Sequence, residues 1–441
     1  HMIKISNESN FLIDYYDKKL DLNIPNKKSN ELENLQKHIY DKLDFIYGFL
    51  NKDLCNIKNF RKIYNDDERE YKKLLGNAYK KHFADNKYID TAIKEYIFNT
   101  TATLLVYTLP YKNKIIKINF VEYSKISQSY LSNLDKIVKN MLAQIYLVPQ
   151  LSINDSCSND GVSVIIFMSP YKRKLEKKQG DILGAKNANG GFCYGCKSKG
   201  EIIVYRKEEF FKVFSHELIH NFGVDTNMWK FMAAAKVNNS KEYKIYNKFV
   251  DNYSLDREND LIPQEALVEF WGVFLNNTIY SYVYSNNCNL STHKQKLKIF
   301  KEMFKKIMEF EITHSLLQTT KILQHNNISY LDILSNSKDI SYRENTHIFS
   351  YYVLKLFLLY NYSAFINTNI TTLNGKSIYF QKSLVNMEEF FNYLNAVSNS
   401  KSLMDNLKYM EKHYIFLKSQ KKSREIKYLI SNLRMSVLEY Y

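Results

Sequence analysis

The sequence predicts an α+β fold in which helix predominates, with a mixed sheet in the middle of the chain and helical regions on either side. Three observations carry this. Glycine and proline are scarce, 12 and 5 in 441 residues, so few positions interrupt a helix. Apolar residues recur at helical spacing before residue 100 and after residue 223. Between those limits lie short runs rich in β-branched and aromatic residues, which is the composition of strands.

Taken in order, residues 30–98 carry Leu35, Ile39, Leu43 and Ile46, then Tyr71, Leu74, Leu75 and Tyr79, at helical spacing. This makes 1–100 a helical N-terminal region. TATLLVYTLP (101–110) and KIIKINFVEY (114–123) predict two strands joined by a short break. SNLDKIVKNMLAQIYLV (132–148) predicts a helix, VSVIIFMSP (162–170) a strand that ends at proline, and a polar, glycine-containing stretch to about 199 a loop. EIIVYR (201–206) predicts another strand, and a helix follows at once. Strands with helices between them make a mixed sheet backed by helices over 101–223. Residues 224–441 form a helical region in which IFSYYVLKLFLLY (348–360), with a lysine at its centre, predicts a core helix.

Hydrophobic residues make up 45% of the chain, enough for a packed core without disulfides. The five cysteines, Cys55, Cys157, Cys193, Cys196 and Cys288, are an odd and sparse set. They predict reduced thiols, with the Cys193/Cys196 pair in a loop and no second pair to complete a zinc ribbon. No early apolar run resembles a signal peptide, and no stretch is long and apolar enough to span a membrane. A soluble, intracellular protein is the expectation. His1-Met2 reads as a cloning remnant. The net charge of +16 favours acidic partners, an acidic peptide or protein segment first and nucleic acid as the lesser alternative. The basic runs 172–178 and 418–427 are expected to be solvated faces, and the oligomeric state is not legible.

Chemistry concentrates in FKVFSHELIHNFGVD (211–225). On an amphipathic helix His216 and His220, four apart, project from one face and reach a single ion. Gly223 supplies the left-handed residue that ends the helix. Neutral imidazoles plus one carboxylate suit Zn²⁺ with a position left for water. Glu217, beside His216, would take the proton of that water and hand one to a leaving amine. Chance supplies on the order of 0.01 such motifs in a chain of this length, so the two histidines are read as ligands rather than as packed core residues.

From about 101 to 272 the chain resembles the zincin metallopeptidases, which carry H-E-x-x-H on a helix behind a mixed sheet. The resemblance implies that a strand just before that helix forms the substrate-binding edge, the place held by EIIVYR (201–206). In metzincins a third ligand follows the glycine by three residues; here that position is Thr226, and Asp225 falls one short. LIPQEALVEFWGVF (261–274) resembles the second zinc helix of gluzincins, with Pro263 in its first turn. On that likeness Glu265 is the third ligand, and Glu269, one turn on, is the acid that orients a zinc-bound imidazole. Asp225 is the alternative ligand, with a cap or a hydrogen bond behind the ligands as its first role. Glutamate stands where gluzincins carry aspartate at 269. The gap from His220 to Glu265 is also longer, and is filled by an expected helical insertion at 228–249.

A donor for the oxyanion is sought in YRENTHIFSYYVLK (342–355), a helix start with Asn345 or Thr346 as cap. Arg343, His347, Tyr351 and Tyr352 are candidates, and Tyr352 and His347 are favoured. The pentapeptide HELIH (216–220) and the Lys/Asn/Ile/Tyr-rich composition also resemble clostridial neurotoxin light chains, though their Arg-x-x-Tyr element is not clearly matched. IIVYRKEEFFKVFSHELIHNFG (202–223) is similar to HExxH proteins of large AT-rich DNA viruses. The expectation is a gluzincin-like zinc metallopeptidase acting on acidic protein segments. The alternatives are a toxin-like zinc endopeptidase and a catalytically silent zincin-fold protein that binds a polyanion.

Overall fold

The β-branched runs of the middle region become the centre of a six-stranded sheet. The computed structural model describes residues 4–25, 29–111, 113–154, 156–255, 261–335, 342–373, 377–380, 387–421 and 423–440. His1-Met2, read as a remnant, lies outside them. The fold is mixed α+β, about 60% helical. The strands are β1 (Arg61–Tyr64), β2 (Thr103–Tyr111), β3 (Lys114–Glu122), β4 (Val162–Phe167), β5 (Gly191–Cys193) and β6 (Gly200–Val204), ordered β1-β2-β3-β4-β6-β5. β2 and β3 form an antiparallel hairpin; β3, β4 and β6 run parallel; β5 returns antiparallel to β6.

Alternation gives each face its own neighbours. Leu105, Ile118, Val164 and Ile202 face the main core; Leu104, Val121, Phe167 and Ile203 face a smaller one beneath residues 69–99. The main core is continuous through all three regions, joining Leu35, Leu142, Phe214 and Trp271. Helices Gln128–Leu147 and Phe210–Asn221 lie on this side of the sheet, and the helix Pro263–Asn287 packs on the second of them. Behind it run the helix His293–His325, opened by a Thr292/Gln295 capping box, and residues 348–360.

Several sequence expectations change. EIIVYR is not the edge strand: β6 is paired on both sides, by β4 and β5, and the edge is β5. A three-residue strand behind Gly190-Gly191 is too short for periodicity to reveal. β1, a four-residue strand paired with β2, likewise interrupts the helical N-terminal region that the spacing predicts. Cys157 and Cys196 form a disulfide across 39 residues, joining two loops. The spacing Cys-x-x-Cys concealed this pairing, and the bond removes the sparse thiols as an argument for a reducing compartment. Arg173, in a run expected to be solvated, is 1% exposed and bonds Glu209 at 2.9 Å. Glu344, not Asn345 or Thr346, accepts the Phe349 N–H at 2.6 Å at the start of the 348–360 helix. Among the described residues no helix is long and apolar enough to cross a membrane.

The segment 432–440 is irregular and largely buried, and Glu311 receives it. One Glu311 carboxylate oxygen accepts Ser436 Oγ at 2.6 Å and Val437 N at 3.0 Å, and the other is buried without a hydrogen bond. Burial pushes this carboxyl up to about 7, against the pull of the Ser436 hydrogen bond and Lys355. The folded state therefore binds its proton more tightly than the unfolded chain does, and stability falls as pH rises from about 4.5 to about 7. Glu311→Gln should remove that slope. Relative to the parent, the variant is expected to gain on the order of 2 kcal/mol between the ends of this window in denaturant melts. A parent-to-variant difference that does not change with pH would contradict it.

Candidate metal and catalytic site

The helix Phe210–Asn221 enters at Glu209, a left-handed residue (φ 57°) whose buried carboxylate accepts the Met435 and Ser436 N–H groups and pairs with Arg173. It leaves through Gly223 (φ 63°), where an added Cβ would lie 2.8 Å from Thr226 Oγ1 and 3.1 Å from Cys157 Sγ. Its partner helix begins at Pro263 and crosses it closely at Gly272, where a Cβ would stand 3.1 Å from His216 Cα. That absent side chain lets Glu265, two turns earlier, reach the histidines. Gly272→Val should push the helices apart and cost about 1–3 kcal/mol of stability. It should also weaken metal uptake, as read by denaturant melts and metal titration; unchanged values in both would refute the close-approach argument.

The two imidazoles present Nε2 to one carboxylate. His216 Nε2 lies 3.4 Å from Glu265 Oε2, and His220 Nε2 lies 3.8 Å from Glu265 Oε1. The far nitrogens are both held: His216 Nδ1 by Glu269 at 2.9 Å and His220 Nδ1 by Asp225 at 2.7 Å. Such pairing fixes the tautomer and aims each Nε2 inward. Ligands about 2.0–2.1 Å from a tetrahedral ion stand roughly 3.3 Å apart, so this trio is spaced to accept one. Among the described residues it is the one group of three such side chains able to hold a metal ion.

Asp225 therefore stands behind His220, where Gln264 Nε2 also donates to it, and not beside Glu265. Glu269 is gripped by two buried lysines, Lys212 on the motif helix and Lys355 at 3.8 Å. Burial opposes its ionisation, but the Lys212 charge overrides this and holds the carboxyl below its usual range. Glu265 is lowered as well: burial resists its charge, and the hydrogen bonds with His216 and His220 win. Burial likewise disfavours the charged His216, yet Glu265 and Glu269 raise it to about 9. These shifts express one pairing, a carboxylate that draws positive charge between itself and two imidazole edges.

Glu217 lines the same cleft, a space of about 790 Å³, and burial raises its carboxyl against the pull of both histidines. β5 forms one wall. A Cβ on Gly191 would lie 2.7 Å from Val213 Cγ1 and 3.4 Å from Glu217 Oε1, so only glycine lets the edge strand sit this close to the motif helix. Cys193 Sγ donates to the Glu217 carbonyl at 3.5 Å.

On the opposite wall the favoured tyrosine changes. Tyr352 is 1% exposed, and its hydroxyl donates to the Leu433 carbonyl at 2.6 Å, outside the cleft. Tyr351 lines the cleft with His347, its ring 6.1 Å from the His216 ring. Adjacent residues of a helical turn cannot share a face, and the sequence did not say which of the two pointed inward. Arg343 is exposed and lies outside the cleft lining. Sequence reasoning did not single out Lys212, although a lysine among Phe210, Phe211, Val213 and Phe214 needs a buried counter-charge. In comparisons with known proteins, no family model, no curated protein and no solved structure matches the chain.

Proposed function

We propose that this chain is a zinc-dependent metallopeptidase of gluzincin type. The observation that carries the reading is the convergence of His216, His220 and Glu265, with Nδ1 of each histidine held from behind and Glu217 in the same cleft. A mixed sheet with its edge strand laid against the motif helix supports a zincin-like arrangement.

A divalent ion in this nest would supply Lewis acidity toward a carbonyl oxygen and lower the pKa of water. The residues themselves do the rest. An extended peptide pairs with β5, the terminal strand of the sheet among the described residues. Glu217 takes a proton from the attacking water as oxygen bonds to the carbonyl carbon. It then delivers that proton to the nitrogen as the C–N bond breaks. Tyr351 and His347, on the facing wall, are placed to donate to the oxyanion. Glu269 and Asp225 keep the histidines oriented throughout. Metal analysis with a chelator-sensitive cleavage assay on mixed peptides tests the reading, and anomalous scattering at the zinc edge names the ion and its ligands. Stoichiometric zinc and chelator-sensitive cleavage are expected. A metal-free protein that cleaves nothing would end the proposal and leave the polyanion-binding alternative.

A further inference from the structure

A second cavity, about 680 Å³, opens on the other face of the sheet. Its floor is a polar row across three strands, Lys117, Ser163 and Glu201, which the strand register places side by side. Its roof is residues 69–82, which add Arg69, Lys73, Lys80, Lys81 and His82. Lys81 is neutralised by Glu201 at 2.7 Å. Among the described residues Arg69, Lys73, Lys80 and Lys117 have no acidic partner, and Glu70 is the one other acid in the lining. Four such cations against one acid leave an excess of three positive charges around one concavity, which raises the local concentration of anions.

This trough adjoins the cleft. Asn77, Ala78, Lys80, Lys81 and His82 line the trough, and Asn86, Tyr88 and Ile89 line the cleft. A hydrogen bond links the two linings: His82, of the trough, bonds at 2.7 Å to the hydroxyl of Tyr194, of the cleft. Tyr194 directly follows β5. A peptide leaving the edge strand past Cys193 reaches this link next. In the cleft lining Arg173 and Lys212 are buried in ion pairs, which leaves Lys197 as its one exposed cation among the described residues, against the four unpaired ones in the trough.

We infer that the trough is an extension of the substrate site that receives an acidic stretch of the peptide, on the side that leaves the cleft past Tyr194. The inference rests on the peptidase reading and locates in the fold the acidic preference that the net charge suggests only globally. Arg69, Lys73, Lys80 and Lys117 bind the carboxylates, while the peptide bond to be broken lies against β5.

The test uses the full chain carrying Glu217→Gln, so that peptide is not consumed. A fluorescein-labelled peptide with a glutamate run and its glutamine counterpart are titrated by anisotropy, with and without chelator. Lys73→Glu/Lys80→Glu/Lys117→Glu alters exposed residues only, and its melt should match the parent. Binding of the glutamate peptide should weaken ~10-fold or more in this variant and with added salt. The glutamine peptide should bind parent and variant alike. Equal binding of the glutamate peptide by parent and variant overturns the inference, as does equal weakening of both peptides. A single-stranded oligonucleotide that binds the parent more tightly than the glutamate peptide, and loses that binding in the variant, reassigns the trough to nucleic acid. Because anisotropy needs no turnover, loss of the zinc reading and loss of the trough register separately: a protein without metal can still bind the peptide, and one that cleaves can fail to.

Discussion

Glu217→Gln is expected to retain its metal and to lose peptidase turnover by ~10²–10⁴-fold, the usual contribution of a positioned acid–base group. Glutamine preserves the volume of the side chain against Gly191 and Val213, so the fold and the histidine nest should be undisturbed. What disappears is the capacity to accept a proton from water and return it to the leaving nitrogen. The loss should fall on kcat, with KM little changed, because β5 and the cleft walls still bind peptide. Turnover near the parental rate in a metal-loaded variant would mean that another group moves the proton, and Glu217 would have no catalytic role.

Glu265→Ala should fail at an earlier step. Removing the carboxylate leaves His216 Nε2 and His220 Nε2 with no third donor, since Asp225 is engaged on the far side of His220 and Glu269 on the far side of His216. Zinc content after dialysis should fall from stoichiometric to near zero, and cleavage with it. Helix Pro263–Asn287 should remain folded, because its packing against the motif helix runs through buried residues such as Val268 and Trp271. Full zinc occupancy in this variant would place the third ligand elsewhere and require a different geometry for the whole site.

The two variants separate the roles that the structure brings into one cleft. They also mark how unevenly those roles were legible. The motif helix was plain, because its periodicity, its terminating Gly223 and the four-residue spacing of the histidines are all local. The Glu265/Glu269 pair was visible as one helix face, but its destination was taken from a family likeness. Lys212 and Lys355 stand out in the sequence as lysines among apolar residues, but not as the partners of Glu269, since their pairing crosses from one helix to two others. β5 stayed hidden in a glycine-containing loop, and with it the true edge of the sheet. The Cys157–Cys196 bond was missed for the same reason, as it joins loops brought together by β4 and β6. Tyr351 and Tyr352 could be named together but not told apart, since the choice depends on how their helix is rotated against its neighbours.

By itself the sequence determined that two imidazoles and an adjacent carboxylate share one helix, because a 3.6-residue repeat dictates which side chains stand together. It also determined a middle region of strands and a strongly basic surface. Only the tertiary structure decided which carboxylate meets those imidazoles and where the unpaired lysines gather. Both depend on the close crossing at Gly272 and on the segment 77–89 passing from trough to cleft. Contacts between distant segments are set by the packing of the whole core, which no local pattern encodes.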